Sequence, residues 1–194
     1  LVVEQALFRH RLGFALLAVD APAEQALAIE GDALLALVAA AAQGVDALVI
    51  DCPRWLDRAR RAVLRMADRV AVISPPTLGG LRDTARMAAL LSGLRAGQAP
   101  LLAVNRAGAF PAGLARGDFE AGLGNRLDCW IEEDEAAARQ AADTAGTLLG
   151  RGGRGLARGL AGLRDGLFAP PPVPPRAGHG RSPGFAHLLA GLAR

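Results

Sequence analysis

The stretch "DALVIDCPRW", residues 46–55, decides how the chain is read. Its apolar run ends with Val49 and Ile50 directly before Asp51; Cys52-Pro53 then turns the backbone into an arginine-rich segment. A continuously apolar run of this length, bounded by an acid and a proline, is the pattern of a strand covered on both faces. An acid that closes such a strand stands at its carboxyl end, where open α/β sheets bind ligands. Asp51 is therefore a candidate for a magnesium or water ligand. The competing reading is an acid that ends a strand and caps the next helix.

Working outward, further strands are expected at 14–19, 69–74, 101–105 and 127–131, beside the one at 47–51. Helical periodicity falls between them, at 32–43, 55–67, 78–95 and 133–145, with a short helix at 119–123. In the second of these, Trp55, Ala59, Ala62, Val63 and Met66 recur at helical spacing on one side. Apolar strands alternating with helices predict βαβ units, hence an α/β fold of three layers with a mostly parallel sheet. Three segments follow: 1–150 as the main domain, 151–168 as a Gly/Arg-rich helical extension with leucines at 156, 160, 163 and 167, and 169–194 as a tail. "APPPVPP" (169–175) reads as a stiff polyproline linker. Phe185, Leu188, Leu189 and Leu192 make one helical face too short to stand alone in water.

Composition narrows the classes. The chain has 194 residues, 52% of them hydrophobic, and carries a net charge of +3; a charge that small does not by itself demand nucleic acid. With aromatics at 4% and no tyrosine, stacking platforms for single strands are not expected. Cys52 and Cys129 form no C-x-x-C pair, which fits a reducing cytoplasm. His10, His179 and His187 offer no metal-ligand spacing. Charges and prolines interrupt every apolar run before it reaches membrane-spanning length.

Several smaller motifs have two readings each. Asn105, in "LLAVNRAG" (101–108), ends a buried strand, where an amide can read a purine edge or simply form a turn. "GRGGRG" (150–155) fits G-x-G-x-x-G literally, but a helical segment precedes it, so a connector is expected rather than a dinucleotide loop. Arg54, Arg58, Arg61 and Arg65 line one helix face and read either as a phosphate-binding stripe or as a solvated surface. "PPTLGGLRDTAR" (75–86) enters a helix whose free N–H groups could meet an anion, or is simply an N-terminal helix cap.

Taken in order, "VDALVIDCPRWLDRARRAVLRMADRVAVISPPTLGGLRDTARMAALL", "APLLAVNRAG", "GDFEAGLG" and "WIEEDEAAARQAADTAG" resemble the latter part of MinD/ParA-type P-loop ATPases. The branch they most resemble is the TadZ/CpaE proteins of Flp (Tad) pilus assembly. The resemblance covers roughly residues 1–150. It implies Asp51 at the Walker B position, holding magnesium through water, and Pro53 in the adjoining switch turn. It places Asn105, with Arg106 beside it, at the adenine, and the loop from Ile131 to Asp134 along the base, with Glu132 replacing the usual proline. It further implies ATP and magnesium as cofactors, a homodimer with residues 75–81 on a partner surface, and pilus or secretion assembly proteins as partners. The expected location is cytoplasmic, at the inner face of the cytoplasmic membrane or the cell pole. Two other roles stay open: a partition protein whose arginine stripe touches DNA, and a non-enzymatic adaptor whose tail meets a membrane or partner.

One departure outweighs the rest. The phosphates of such an ATPase need a glycine-rich loop with a lysine, and this chain has no lysine and no G-K-[ST]. Because it opens on Leu1 rather than methionine, a piece of a longer protein is expected; the alternative is a degenerate relative that acts as a scaffold. Positioning and charge stabilisation supply nearly all of the catalysis in phosphoryl transfer. The 194-residue chain is therefore expected to hydrolyse no ATP and to keep one mass in light scattering with and without ATP and magnesium; a nucleotide-dependent dimer would contradict this.

Overall fold

In the computed structural model, residues 2–18, 30–144, 146–148 and 152–168 are described. The chain divides into two compact units, the first reaching Met66 and the second beginning at Ala67.

In the first unit, α1 (Val2–Gln5) precedes a two-stranded antiparallel hairpin, β1 (Phe8–Arg9) and β2 (Ala15–Leu16). Gly13 takes a positive φ at its turn, and the His10 and Phe14 rings stack at 4.5 Å. The strand expected at 14–19 is thus a two-residue hairpin arm, both of whose residues are exposed. Helices α2 (Gly31–Ala42) and α3 (Arg58–Met66) pack together and bury Ala39, Ala59, Val63 and Leu64.

The segment 47–51 forms no strand. It pairs with no other segment among the described residues, and Val49 is 76% exposed. An apolar run becomes a strand only where a neighbour satisfies its backbone N–H and C=O groups; periodicity sees the run and not the neighbour. The helix expected from residue 55 begins at Arg58, because Asp57 caps it. Asp57 Oδ1 accepts from the Arg60 N–H at 2.8 Å, and its carboxylate pairs with the Arg60 guanidinium. Trp55, expected on the helix's apolar side, therefore lies before the helix and is 67% exposed.

The second unit is the three-layer α/β body. Strands β3 (Ala71–Ser74), β4 (Leu101–Ala107) and β5 (Cys129–Glu132) form a parallel sheet in that order. Helices α4 (Leu78–Leu94) and α5 (Arg116–Leu123) cover one face, where Leu102, Val104, Phe119 and Leu127 are buried with Val72, Leu81 and Leu123 against them. On the other face, α6 (Glu135–Asp143) and α7 (Arg154–Phe168) enclose Ile131, Ala137 and Leu156. The outer edge of β3 has no paired strand among the described residues, and Ile73 is 51% exposed there.

Two local devices set the angles. Gly80 follows the "PPT" turn, and a Cβ there would lie 2.1 Å from the Pro75 carbonyl oxygen, so the turn into α4 closes only over glycine. Thr77 caps the same helix by accepting from the Gly80 N–H at 3.0 Å. Arg95, buried at the end of α4, reaches the Ala67 and Asp68 carbonyls at 2.7 and 3.1 Å and thereby ties the entry to β3. Burial pushes its pKa down.

Helix α7 reaches the sheet through glycines. A Cβ on Gly159 would come within 2.7 Å of both Ile131 Cα and the Trp130 carbonyl oxygen. The "GRGGRG" glycines that fall in the described residues are therefore packing and turn positions. Residues 169–194, including the polyproline stretch and the apolar tail face, lie outside the described residues.

The glycines of α4 and α7 make an opposed pair of predictions. Gly159→Ala should destabilise by about 1–3 kcal/mol, the typical cost of forcing backbone apart. Gly93→Ala, in α4 with nothing within 4 Å of its Cβ position, should stabilise by roughly 0.5–1 kcal/mol through helix propensity. Denaturant midpoints of the two variants check both signs.

Candidate functional site

The carboxyl ends of β4 and β5 carry four of the residues singled out from the sequence. From Val104↔Trp130 to Ala107↔Glu132, β4 advances three residues while β5 advances two. The extra residue is a bulge, a device that re-aims side chains beside functional sites. Asn105 and Arg106 occupy it, both exposed. Arg106 takes φ +62°, a left-handed conformation uncommon outside glycine. Asn105 Oδ1 accepts from the Arg106 N–H at 2.8 Å. The Arg106 side chain pairs with Glu133, Nε to Oε2 at 3.1 Å, and its guanidinium lies 5.4 Å over the Phe110 ring.

Beside the bulge, the loop after β5 is tied down by its own backbone and by Asp134. The Glu133 N–H donates to the Ala107 carbonyl at 2.8 Å. Asp134 Oδ1 caps α6 by accepting from the Ala137 N–H at 3.0 Å, and Oδ2 accepts from the Gly153 N–H at 2.7 Å. Those two backbone bonds, Gly153 first, hold the Asp134 carboxyl below its ordinary value. Ile131 is 2% exposed, so its side chain belongs to the core under α7 and only the loop backbone flanks the bulge. Glu132 is exposed, and a Cβ on Gly155 would overlap its carboxylate.

Asp51 and Pro53 belong to the first unit. With Leu34, Ile50, Cys52, Asp57, Arg60 and Val63 they line a cavity of about 160 Å³. Asp51 itself is exposed. Burial raises the Cys52 thiol, Arg60 opposing and Asp51 and Asp57 adding to the shift. Among the described residues no three His, Cys, Asp or Glu side chains gather as a metal site. Magnesium keeps several waters and leans on one or two carboxylates plus phosphate oxygens. Asp51 fits that chemistry as a water-mediated ligand alone, and with no lysine the residues present do not make a cradle for a triphosphate.

Of the arginine stripe, Arg58, Arg61 and Arg65 are exposed on α3, and Arg54 is exposed before the helix begins; Arg60, outside the stripe, is held by Asp57. Two participants were not singled out by the sequence reading: Glu133, covered only as part of the loop 131–134 and as the start of a helix, and Phe110. Neither has a periodicity that marks it; their importance comes from the bulge, whose only trace in the sequence is the turn-forming composition of "NRAG".

No protein-family model matches the sequence, and none of the curated proteins does. Two solved structures are similar in fold. A ParA family ATPase from Chlorobium tepidum shares 19% identity over 84% of this chain and 68% of its own, with a TM-score of 0.68. The cell division ATPase MinD of Pyrococcus furiosus shares 22% over 85% of this chain and 70% of its own, at 0.66. The chain thus has the α/β fold of these two ATPases. No helix among the described residues is long and apolar enough to cross a membrane.

The Asp134 ties carry a pH dependence. A carboxyl whose pKa is lowered by folding stabilises the fold above its unfolded value, and that contribution disappears as pH falls through the folded value. Asp134→Ala should therefore lower Tm at neutral pH, and the gap to the parent chain should close in acid below the carboxylate range. A pH series of thermal melts checks this; a gap that persists in acid would assign the loss to something other than the charge.

Proposed function

We propose that this chain is the base-binding portion of a nucleotide-dependent assembly factor of the ParA/MinD kind. In this reading it serves as a pilus-assembly or localisation protein that positions a Tad/Flp-type secretion machine at the cytoplasmic membrane. The observation that carries the reading is Asn105, exposed on a bulge at the carboxyl end of the doubly paired strand β4, beside the loop tied down by Asp134. Ligands of open α/β sheets bind at such strand ends, and an amide offers a donor and an acceptor side by side for a purine edge. The ordered resemblance to TadZ/CpaE proteins and the shared fold support the assignment of role.

The residues divide by task. Asn105 contacts the base, the loop from Ile131 to Asp134 flanks it, and Asp51 with Pro53 holds a magnesium-bound water and its turn. Hydrolysis is not a property of these residues, because nothing among them cradles phosphates. The chain acts through protein partners, with residues 75–81 as a contact surface and a homodimer as the assembling unit.

A second reading has one observation in its favour. Arg58, Arg61 and Arg65 form an exposed basic row on α3, which suits a DNA backbone. A salt-sensitive DNA mobility shift that disappears with Arg58→Glu and Arg61→Glu would favour partition over pilus assembly.

The base site has a direct test that needs no phosphate cradle. Equilibrium dialysis of the full chain should show adenosine retained in preference to uridine, and Asn105→Ala should lose about tenfold or more in affinity, as expected when a paired hydrogen-bonding contact of about 1–3 kcal/mol is removed. Equal retention of both nucleosides, or an Asn105→Ala chain that binds like the parent, would remove the base-binding assignment.

A further inference from the structure

We propose that Arg106 is the positioning residue of this site: anchored by Glu133 and Phe110, its side chain locks the bulge of β4 and so fixes the Asn105 amide in one orientation. The proposal rests on the reading of Asn105 as a base-contacting residue.

Asn105 Oδ1 is held by the Arg106 N–H at 2.8 Å. That N–H belongs to a residue at φ +62°, a conformation that costs an ordinary L-residue about tenfold in population. Glycine would adopt it freely, and the next glycine, Gly108, does so at φ +94°. At position 106 the chain instead carries a long side chain with two tertiary anchors. One is the Glu133 carboxylate at 3.1 Å; the other is the Phe110 ring, 5.4 Å from the guanidinium carbon.

The anchors are tied into the frame of the bulge. Glu133 donates its own N–H to the Ala107 carbonyl, across the sheet from the strained residue. Phe110 follows the turn that the Ala109 N–H closes onto the Arg106 carbonyl at 3.1 Å. An ion pair this exposed contributes little alone, so its effect is to select a backbone conformation already close in energy. With Oδ1 engaged by the backbone, the amide nitrogen keeps both its donors for a ligand, and Oδ1 retains one lone pair. That arrangement matches an acceptor beside an amino group, the pattern of an adenine edge. Arg106 thus acts through Asn105 and does not touch the base.

The test uses the isotopically labelled full chain with adenosine as probe, following the two side-chain amide signals of Asn105. Arg106→Ala removes the anchors and keeps the cost of positive φ; Arg106→Gly removes the anchors and the cost together. The expected result is that Arg106→Ala binds adenosine about tenfold more weakly and moves the two ligand-free amide signals toward the positions of an unconstrained Asn side chain. Arg106→Gly should recover the parent affinity to within about threefold and restore the parent positions of both signals. Glu133→Gln should move both readouts in the direction of Arg106→Ala. Equal losses in Ala and Gly variants would make Arg106 a direct contact and overturn the positioning role. An Arg106→Ala chain like the parent in both readouts would overturn it as well. If adenosine leaves the parent Asn105 signals unmoved, the base-binding reading falls and takes this proposal with it, a failure distinct from the other two because it shows before any variant is made.

Discussion

Strand β4 is hydrogen-bonded along both edges, and the arrangement of the second unit follows from that constraint. A parallel strand with neighbours on both sides must be covered on both faces, because parallel sheets rarely leave a face to water. Leu102, Ala103 and Val104 meet the requirement with near-complete burial. Helices α4 and α5 then close one face around Phe119, and α6 and α7 close the other around Ile131. At the carboxyl end of β4 this coverage is interrupted. There the bulge takes Asn105 and Arg106 out of the regular ladder, and both become exposed.

How closely the layers approach is set by residues with no side chain to speak of. Gly159 lets α7 lie against the backbone of β5, and Gly80 lets α4 turn directly off the Pro75 carbonyl. Polar ties hold the connections that such close packing leaves short. Asp128 Oδ2 accepts from the Leu102 N–H at 2.7 Å and the Asp128 N–H donates to the Leu102 carbonyl, locking the approach to β5 onto β4. Glu120 does the same for the turn after α5, accepting from the Leu127 N–H while Arg116 reaches the Leu127 carbonyl. The backbone bond from Leu127 and the Arg116 guanidinium together hold the Glu120 carboxyl below its ordinary value. The site at the end of β4 therefore sits on a frame whose loops are individually fastened.

The candidate residues of the two units are built on different principles, each within its own unit. In the second unit, Asn105 stands on a strained but anchored backbone, an expenditure of local stability of the sort that accompanies function. In the first unit, Asp51 follows an apolar segment that is exposed and unpaired among the described residues. A carboxylate there is open to solvent. The cavity beside it is lined mainly by apolar carbon, with Arg60 already committed to Asp57.

Much of the secondary structure was legible from residue order. Helices α2, α4, α6 and α7 fall within a few residues of where their periodicity puts them, because an amphipathic stripe is a local property. Strands β3, β4 and β5 were legible for the same reason, as short apolar runs between turn formers. Where the reading failed, the deciding term was not local. Residues 47–51 have the composition of a buried strand, yet a strand exists only through its neighbour's hydrogen bonds. Trp55 fits the periodicity of α3, yet the cap supplied by Asp57 begins the helix three residues later. By itself, then, the sequence determined most of the helices, the three strands of the parallel sheet, the α/β class, and the candidates Asp51 and Asn105. Only the tertiary structure decided that β4 carries a bulge, that Arg106 is held at positive φ by Glu133 and Phe110, and that Asp134 spends both carboxylate oxygens on backbone. Those outcomes depend on contacts between residues far apart in the chain, whose energies no local pattern encodes.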